Sequence, residues 1–249
     1  MFIRFASAIR SFNGAPDVPE LQLVKEGDIG AYYAPFDLIN SKARVVLVGI
    51  TPGRTQAVNA LLEAQKQLKL GATPAVAMQK AKNTGSFSGG MRTNLTSMLD
   101  HIGLQKWLEI GSCDALFGNA SHLLQSTSVL QFPVFVKGEN YNGTPDPTSH
   151  PLLRQMLIEH FVPVLKALPN AAFVPLGPVP TKAMQWLLEK GYVSKVQMIQ
   201  GLPHPSGANA ERIQYFLGKK DISLLSVKTD PNKLDAARLG LRAAVAALQ

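Results

Sequence analysis

The stretch Ala43–Gly53, with the sequence ARVVLVGITPG, constrains the fold of this chain more than any other segment. Val45 to Val48 form an unbroken apolar run without the polar alternation of a half-exposed strand. The run therefore predicts a strand that is covered on both faces, as in the centre of a parallel sheet. Gly49–Gly53 then ends the strand with two glycines and a proline, which allow close approach of a ligand to the backbone. Because open α/β sheets bind ligands beyond the carboxyl ends of their strands, we expect a binding loop here.

The rest of the chain alternates between apolar strand-like runs and segments of helical periodicity. Further core strands are predicted at Cys113–Gly118, Ala171–Leu176 and Val196–Gln200, and a short extra strand at Val134–Val136. This order predicts an α/β three-layer sandwich with a central, mainly parallel four-stranded sheet flanked by helices. The predicted helices are Thr55–Leu70, Pro74–Lys82, Met91–Ile102, Leu152–Leu168 with a kink at Pro163, Thr181–Lys190, Asn209–Leu217, and Pro231–Leu248 capped by Asp230.

The domain organisation follows from the absence of an internal repeat or a long linker in the sequence. We expect a single domain over residues 1–249, with a core at about 43–217 and helical extensions at both ends. Within the first extension, Met1–Lys42 is predicted to contain short helices and loops, because Asn13-Gly14 and two prolines interrupt it.

Composition limits the class of protein and the partners. Hydrophobic residues make up 46% of the 249 residues, which is enough for a large core, and the formal net charge is +8. This charge favours an anionic partner such as nucleic acid, although it also serves general solubility. Cys113 is the only cysteine, which excludes an internal disulfide, a multi-cysteine zinc site and a cysteine-ligated iron–sulfur cluster. Without a membrane-spanning apolar run or a secretory leader, the chain is expected to be cytoplasmic.

Four short motifs follow one another along the chain: GITPG at 49–53, SFSGG at 86–90, FGNAS at 117–121 and HPSGAN at 204–209. In this order, over Arg44–Leu217, they resemble the signature of the uracil-DNA glycosylase superfamily. The first motif is similar to the Gly-Ile-Asn-Pro-Gly of the mismatch-specific branch, and the last to the His-Pro-Ser-Pro-Arg-Asn of the single-strand-selective branch. The resemblance implies an enzyme that flips a damaged base out of DNA and hydrolyses its N-glycosidic bond, without a metal or an organic cofactor.

The resemblance also implies a role for individual residues. His204 would donate a hydrogen bond to O2 of the departing uracil anion, and Thr51 would position the attacking water. Phe87 would stack on the flipped base, and Asn119 would pair with its N3–H and O4. The base pocket would also include Gly49 and Ile50. Contacts to the DNA phosphates and backbone are expected from Pro52, Gly53, Arg54, Ser206, Gly207, Ala208, Asn209 and Arg212.

Each of these residues also has a purely structural interpretation. His204 could be a buried structural histidine, Asn119 a turn residue and Phe87 an ordinary core side chain. The glycines, prolines and serine of the two loops, GITPG and HPSGAN, are equally compatible with plain turns.

Two departures from the family pattern concern catalysis and base flipping. Thr51 stands where the family has a water-activating Asp or Asn, and a hydroxyl is a poor general base near neutral pH. The iron–sulfur branch compensates with a Glu one position earlier, where this chain has Ile50. Ala208 stands where relatives carry a Leu or Arg wedge, and a methyl group cannot fill the gap left by a flipped base. Either Arg212 or Asn209 substitutes for that wedge, or the substrate is single-stranded or is not DNA.

Other functions are also compatible with the sequence. A catalytically weak or inactive module of the same fold would bind DNA, a free base or a nucleotide, and a third possibility is a hydrolase for free nucleosides or another modified base. The pairs Glu159-His160 and Asp146…His150 are too common in sequences to predict a metal site. We expect a monomer without metal, cofactor or membrane contact.

Overall fold

The computed structural model describes residues 1–87, 90–193 and 197–248 and shows a mixed α/β protein with two four-stranded sheets. In the first sheet β3 (Val45–Gly49) pairs in parallel with β7 (Ala172–Pro175), and β7 pairs in parallel with β8 (Gln197–Met198). The predicted α/β class, with a four-stranded and mainly parallel sheet flanked by helices, is confirmed. In spatial order this sheet contains β4 (Leu124–Ser128), β3 (Val45–Gly49), β7 (Ala172–Pro175) and β8 (Gln197–Met198).

The central strand β3 is the strand predicted from the apolar run. Its residues Val45 to Val48 are all fully buried, and Val45 lies opposite Ala172 in the parallel ladder with β7. Strand β7 confirms the prediction at Ala171–Leu176, and β8 lies within the predicted Val196–Gln200, although Val196 is outside the described residues. Parallel pairing therefore brings the carboxyl ends of β3, β7 and β8 to one edge of the sheet.

The prediction of a strand at Cys113–Gly118 is wrong, because Cys113–Phe117 forms a 3₁₀ helix. The hydroxyl of Ser112 accepts from Asp114 N at 3.2 Å and thereby caps this helix. The carboxylate of Asp100 accepts from Cys113 N at 2.7 Å and from Ser112 Oγ at 2.7 Å. These bonds favour a turn over an extended ladder, and the second strand of the core is instead the polar segment β4.

The second sheet is antiparallel, and only one of its strands was predicted. Strand β5 confirms the prediction at Val134–Val136, whereas Met1–Lys42 contains a hairpin of β1 (Gln22–Glu26) and β2 (Ile29–Tyr32) in addition to the expected short helices. The hairpin turns at Gly27, whose φ is +54°, and β2 is buried along its whole length, so it lacks the alternation that identifies a half-buried strand. In spatial order the sheet contains β1 (Gln22–Glu26), β2 (Ile29–Tyr32), β5 (Val134–Val136) and β6 (Glu139–Asn140).

The predicted helices are present with shifted ends. A π-helical turn, Leu157–Phe161, interrupts the segment predicted as one kinked helix, because Pro163 has no N–H to donate to the carbonyl four residues earlier. Asp230 caps the last helix as predicted, since its carboxylate accepts from Lys233 N at 3.2 Å. The helices are α1 (Phe2–Arg10), α2 (Arg54–Lys69), α3 (Pro74–Gly85), α4 (Gly90–His101), α5 (Leu104–Trp107), α6 (Pro151–Met156), α7 (Val162–Ala167), α8 (Pro178–Glu189), α9 (Ala210–Phe216) and α10 (Pro231–Ala246).

The chain folds into two compact units, each with its own apolar core. The core of the first unit includes Tyr33, Leu61 and Phe132, and the core of the second includes Leu47 and Val174. The expectation of a single domain over 1–249 stays a prediction, and each unit is described by itself below. No helix within the described residues is long and apolar enough to cross a membrane. The first unit comprises Met1–Ile39, Gly49–Ser86 and Ser126–Ala167, and the second comprises Asn40–Val48, Phe87–Gln125 and Leu168–Gln249.

Close packing of α2 against α3 predicts a destabilising effect of Gly85→Ala. A Cβ atom at Gly85 would lie 2.9 Å from Ala60 Cβ and 2.9 Å from the carbonyl oxygen of Gln56. We expect the free energy of unfolding, measured with urea, to fall by about 1–3 kcal/mol, as for overpacked cores. Gly240→Ala in α10 is the matched control, since no described atom lies within 4 Å of its added Cβ, and it should raise stability by about 0.5–1 kcal/mol. Equal stability of the two variants would contradict this packing.

Candidate functional site

The GITPG loop, from Gly49 onward, belongs to the first unit and continues the sheet pairing beyond β3. The carbonyl oxygen of Gly49 accepts from Val129 N at 3.0 Å, and that of Ile50 accepts from Leu130 N at 2.9 Å. The loop is therefore held along the segment that follows β4. These carbonyl oxygens therefore hold the loop in place through backbone hydrogen bonds.

Thr51 is anchored by its side chain. Its hydroxyl donates to the carbonyl oxygen of Phe132 at 2.8 Å and accepts from Val134 N at 3.1 Å. A hydroxyl has one proton and two acceptor positions, so one acceptor position remains for a water molecule. Thr51 can thus orient a water in this arrangement, but its own proton stays with Phe132 and it offers no basic group.

These two bonds predict that Thr51→Val destabilises the first unit. Valine has nearly the same shape but leaves Phe132 O and Val134 N without their partner, which costs about 1–3 kcal/mol. Thr55→Val, on the exposed surface of α2, is the matched control and should change the free energy of unfolding by less than about 0.5 kcal/mol. Urea unfolding of both variants measures the difference, and Thr51→Ser should restore most of the loss. A Thr51→Val protein as stable as the control would show that the two bonds do not hold the loop.

The remaining predicted residues of this loop are also engaged within the first unit. Pro52 is buried and has no N–H, while Gly53 N donates to Gln56 Oε1 at 3.0 Å. Arg54 forms two bonds to Asp17, from Nη1 at 2.6 Å and from Nη2 at 2.9 Å, and its guanidinium lies 4.5 Å from the ring centroid of Phe135. The hydrogen bond from Arg54 lowers the pKa of Asp17. Arg54 therefore closes an ion pair in its own unit.

The amino end of α2 already has a further partner. Arg54 N donates to Asn140 Oδ1 at 2.8 Å, and the Arg54 Nη2 also donates to the carbonyl oxygen of Gly138 at 2.8 Å. A phosphate at this helix end would have to replace Asn140 or Gln56 as an acceptor. The expected phosphate contacts of Pro52, Gly53 and Arg54 stay a prediction. In this structure Gln56 and Asn140 already accept the backbone N–H groups that a phosphate would bind.

In the second unit, the carboxyl edge of the parallel sheet carries a shallow cavity. Leu176 N donates to the carbonyl oxygen of Val48 at 2.9 Å, and Gly177 follows with φ +98° and ψ −179°, a conformation open almost only to glycine. A Cβ atom at Gly177 would lie 3.8 Å from Cδ2 of His204, so the imidazole ring packs beside this turn. The cavity of about 370 Å³ is lined by Gly177, Pro178, Thr181, Gln200, Gly201 and Leu202.

His204 is half-buried next to that cavity, and one hydrogen bond assigns its tautomer. Its Nδ1 accepts from Ser206 N at 3.3 Å, and burial lowers the pKa of the imidazole below its usual value. The ring is therefore neutral at pH 7 with its proton on Nε2. A neutral imidazole in this state presents a single N–H donor, which is the group that the resemblance implies for His204.

Phe87 contacts the segment that carries Asn119 within the second unit. The ring of Phe87 packs edge-on against Phe117 with a centroid distance of 6.3 Å, and Phe117 precedes Asn119 by two residues. Asn119 is exposed in the turn after the 3₁₀ helix, so the expectation that it follows a strand is wrong. Its carboxamide has no hydrogen-bond partner among the described residues.

The backbone of Phe87 is strained, and an arginine supports it. Its φ is +40°, which is rare for a bulky residue and is found where the surrounding structure enforces it. Arg92 Nε donates to the carbonyl oxygen of Phe87 at 2.7 Å, and its guanidinium lies 4.6 Å from the ring centroid of Phe117. Phe87 is at the same time buried in the core of the second unit, and Ser88 and Gly89 of its motif lie outside the described residues.

The HPSGAN loop is linked to the helix that follows Phe87. Asn94 Nδ2, on α4, donates to the carbonyl oxygen of Pro205 at 3.0 Å. Asn209 Nδ2 donates to Ser206 Oγ at 3.2 Å, so the hydroxyl proton of Ser206 is available to an acceptor. Arg212 Nη1 in turn donates to Asn209 Oδ1 at 2.8 Å. Gly207 and Ala208 are exposed. Within the second unit, the HPSGAN loop is thus bonded to α4, the helix that follows Phe87.

Two polar residues of β4 in the first unit were missed by sequence reasoning. Thr127 and Ser128 are both buried, and Thr127 Oγ1 has no hydrogen-bond partner among the described residues. A Cβ atom at Gly49 would lie 3.3 Å from Ser128 Oγ. Buried hydroxyl groups normally form a hydrogen bond, and an atom of a bound ligand could be the partner of this one. The sequence signal for this strand is weak, because the run Gln125–Ser128 is polar and only Val129 after it is apolar.

Among the described residues, no group of three or more His, Cys, Asp or Glu side chains could hold a metal ion. The fold and these residues define an α/β protein with a half-buried histidine at the carboxyl edge of a parallel sheet. The chain is 36% identical over 203 residues to the uncharacterized protein YoxB of Bacillus subtilis (strain 168), and the match covers 80% of this chain and 79% of that protein. The chain belongs to the family of YoxB. No family model and no solved structure matches it.

Proposed function

We propose that this protein is a uracil-DNA glycosylase-like hydrolase, which cleaves the N-glycosidic bond of a flipped uracil or a related damaged base in DNA during base excision repair. The observation that carries the proposal is the neutral imidazole of His204, with its Nε2 proton free to donate beside the cavity at Gly177. The bond of its loop to α4, and the contact of Phe87 with the segment that carries Asn119, both in the same unit, add support. The net charge of +8 suits a polyanionic substrate.

In the proposed reaction the bond from C1′ of the sugar to N1 of uracil breaks, and its electron pair leaves with the base. The uracil anion carries charge on O2, and the Nε2–H of His204 donates to that oxygen. Such a donor is worth about 10²–10³ in rate. A water oxygen then bonds to C1′ and loses its proton to solvent. Thr51 would orient that water through its remaining acceptor position, and an oxocarbenium-like transition state needs little help from a base.

Recognition of the substrate is divided among the other residues. Phe87 would stack on the base, Asn119 would pair with N3–H and O4, and Gly49 and Ile50 would line the pocket. Phosphates would be bound by the hydroxyl of Ser206 and the backbone of Gly207 and Ala208, with Asn209 and Arg212 holding the loop. In this proposal the protein acts as a cytoplasmic monomer without a metal or an organic cofactor.

A second candidate function is a module that binds DNA or a nucleobase without hydrolysis. The observation that favours it is the Thr51 hydroxyl, whose proton is donated to Phe132 and which replaces the water-activating carboxylate or carboxamide of the family pattern. This module would keep the cavity and the basic charge but would leave the glycosidic bond intact. Its binding to DNA would weaken steeply with salt.

Release of free uracil separates the two candidates. Labelled single- and double-stranded oligonucleotides with one uracil are incubated with micromolar protein, and thymine-containing oligonucleotides serve as controls. The proposal predicts free uracil and one abasic site per molecule cleaved. Salt-dependent retention of DNA without uracil release would favour the binding module. Neither release nor retention would refute both candidates.

A further inference from the structure

A second cavity lies within the second unit, where the carboxyl end of α4 meets α5 and α10. Its volume is about 550 Å³, which is within the usual range for small-molecule sites. Arg44, the residue before β3, donates from Nη2 to the carbonyl oxygen of Trp107 on α5 at 3.1 Å, so α5 lies at the amino edge of the parallel sheet. The polar lining of the cavity comes from Asp100, His101, Gln105, Lys106 and Arg242.

Helix α4 separates this cavity from the loop that carries His204. Asn94 Nδ2 on α4 donates to the carbonyl oxygen of Pro205 at 3.0 Å, whereas His101, the last residue of the same helix, lines the cavity. The seven residues between these two positions correspond to a rise of about 10 Å along an α-helix. The cavity is therefore distinct from the one beside His204, and none of its residues has a role in the proposed reaction.

The two cations of this cavity have no acidic partner in the part of the chain that the structure describes. Arg242 donates to the carbonyl oxygen of His101, from Nε at 3.3 Å and from Nη2 at 3.2 Å, and its Nη2 lies 3.2 Å from His101 Nε2. These acceptors are uncharged, so they do not neutralise the guanidinium. Lys106 is exposed and forms no ion pair with any described residue. Burial lowers the pKa of His101, and the positive charges of Arg242 and Arg238 lower it further.

The carboxylate in the lining, that of Asp100, is already bound within the fold. Its Oδ1 accepts from Cys113 N at 2.7 Å, and its Oδ2 accepts from Ser112 Oγ at 2.7 Å. Both oxygens thus hold the 3₁₀ helix that begins at Cys113. The cavity therefore carries an excess of positive charge, which favours an anionic ligand.

The uncharged part of the lining contains an acceptor without a donor. Oε1 of Gln105 is buried and has no hydrogen-bond partner among the residues that the structure describes. Buried amide oxygens normally accept a hydrogen bond, and a hydroxyl group of a bound molecule can be the donor. Arginine and lysine together are typical of phosphate sites, and the volume leaves room for an organic group beside the phosphate.

We propose that this cavity binds a phosphomonoester whose organic part carries hydroxyl groups, the class to which sugar phosphates and nucleotides belong. Nη1 of Arg242 and Nζ of Lys106 donate to the phosphate, and Oε1 of Gln105 accepts from a hydroxyl group of the organic part. A terminal phosphate carries a charge of about −1.5 to −2 at pH 7, which matches two cations better than a carboxylate or a phosphodiester does. This binding does not depend on the proposed hydrolase activity, because it uses no residue assigned to that reaction.

Titration calorimetry with ribose 5-phosphate, ribose and inorganic phosphate tests the site. The wild-type protein should bind ribose 5-phosphate more tightly than inorganic phosphate, because phosphate and hydroxyl groups are both bound, and it should not bind ribose detectably. Lys106→Glu should weaken the binding of ribose 5-phosphate by at least about tenfold, since it replaces an attractive charge by a repulsive one. Lys219→Glu, at another exposed lysine of the same unit, is the matched control with the same change in net charge and should bind like wild type.

A second variant tests the contact to the organic part. Gln105→Leu should lower the affinity for ribose 5-phosphate towards that for inorganic phosphate, and it should leave the affinity for inorganic phosphate unchanged. Thermal unfolding of each variant tests that it is folded. Equal loss of affinity for both probes in Gln105→Leu would contradict the assigned hydrogen bond.

Oligonucleotides with a 5′-phosphate or a 5′-hydroxyl distinguish the two sources of a phosphomonoester. Preference for the phosphorylated strand, lost in Lys106→Glu, would identify the end of a nucleic acid strand as the ligand. Binding of ribose 5-phosphate without this preference would identify a free small molecule. The site is overturned if ribose 5-phosphate does not bind at millimolar concentration and the two strands bind equally. An unchanged affinity of Lys106→Glu for ribose 5-phosphate would overturn it as well.

Discussion

His204→Ala is expected to lower single-turnover release of uracil by about 10²–10³, from single- and double-stranded oligonucleotides alike. The imidazole is the only donor that we assign to O2 of the departing base, and its loss raises the barrier without removing the binding residues. Affinity for the uracil-containing strand should therefore change much less than the rate. Because the donor is a neutral N–H, a glutamine, which also offers an N–H, should recover part of the lost rate.

The matched control is His122→Ala, which removes an exposed histidine from the same unit. It should leave the rate within about twofold of wild type, as for an exposed side chain to which the mechanism assigns no role. Thermal unfolding of both variants tests that they are folded. A His204→Ala protein that releases uracil at the wild-type rate would remove the residue on which the proposed mechanism depends.

Lys82→Met is expected to change how the stability of the protein depends on pH. Lys82 on α3 is 4% exposed, its Nζ donates to the carbonyl oxygen of Phe36 at 3.2 Å and to that of Leu38, and burial lowers its pKa to about 7. Asp37 acts in the opposite direction. Below pH 7 the ammonium is charged in the folded and the unfolded state, so the cost of burying that charge is fully present.

Between the folded pKa of about 7 and the unfolded pKa of about 10.4, the unfolded chain binds more protons than the folded chain at this residue. The free energy of unfolding of the wild type should therefore rise relative to Lys82→Met by up to about 1.4 kcal/mol per pH unit over that range. Urea unfolding of both proteins from pH 6 to pH 10 measures this difference. Lys80→Met, exposed on the same helix, should run parallel to wild type. If the difference in the free energy of unfolding between wild type and Lys82→Met did not change with pH, Lys82 would not be a buried lysine with a lowered pKa.

Elements governed by a local pattern were predicted correctly from the sequence. The strand β3 is recognised from its uninterrupted apolar run, and the helix α10 from its capping residue and periodicity, so both signals lie within neighbouring residues. The 3₁₀ helix at Cys113–Phe117 was missed because a short apolar run fits either a strand or a turn, and Asp100 decides the outcome from another helix. Strand β4 was missed because its buried face is polar, contrary to the rule by which strands are recognised.

The sequence predicted which residues belong to the candidate site, but for most of them it did not predict the hydrogen-bond partners. The tautomer of His204 depends on Ser206, two residues away, and could be anticipated from the motif. The bonds of Thr51 could not, because Phe132 and Val134 follow it by 81 and 83 residues. The pairing of Arg54 with Asp17, 37 residues earlier, is equally non-local. Such partners determine which polar groups are left for a substrate, and only the folded chain reveals them.

The central claim is that His204 presents a neutral Nε2–H donor to a uracil oxygen. Nitrogen-15 NMR of the imidazole, with and without added uracil, tests it directly. We expect an unprotonated Nδ1 and a protonated Nε2 at pH 7, with a shift of the Nε2 resonance on addition of uracil; the absence of these imidazole signals from His204→Gln assigns them to His204. A protonated Nδ1 at pH 7, or an Nε2 resonance that does not respond to uracil, would contradict it.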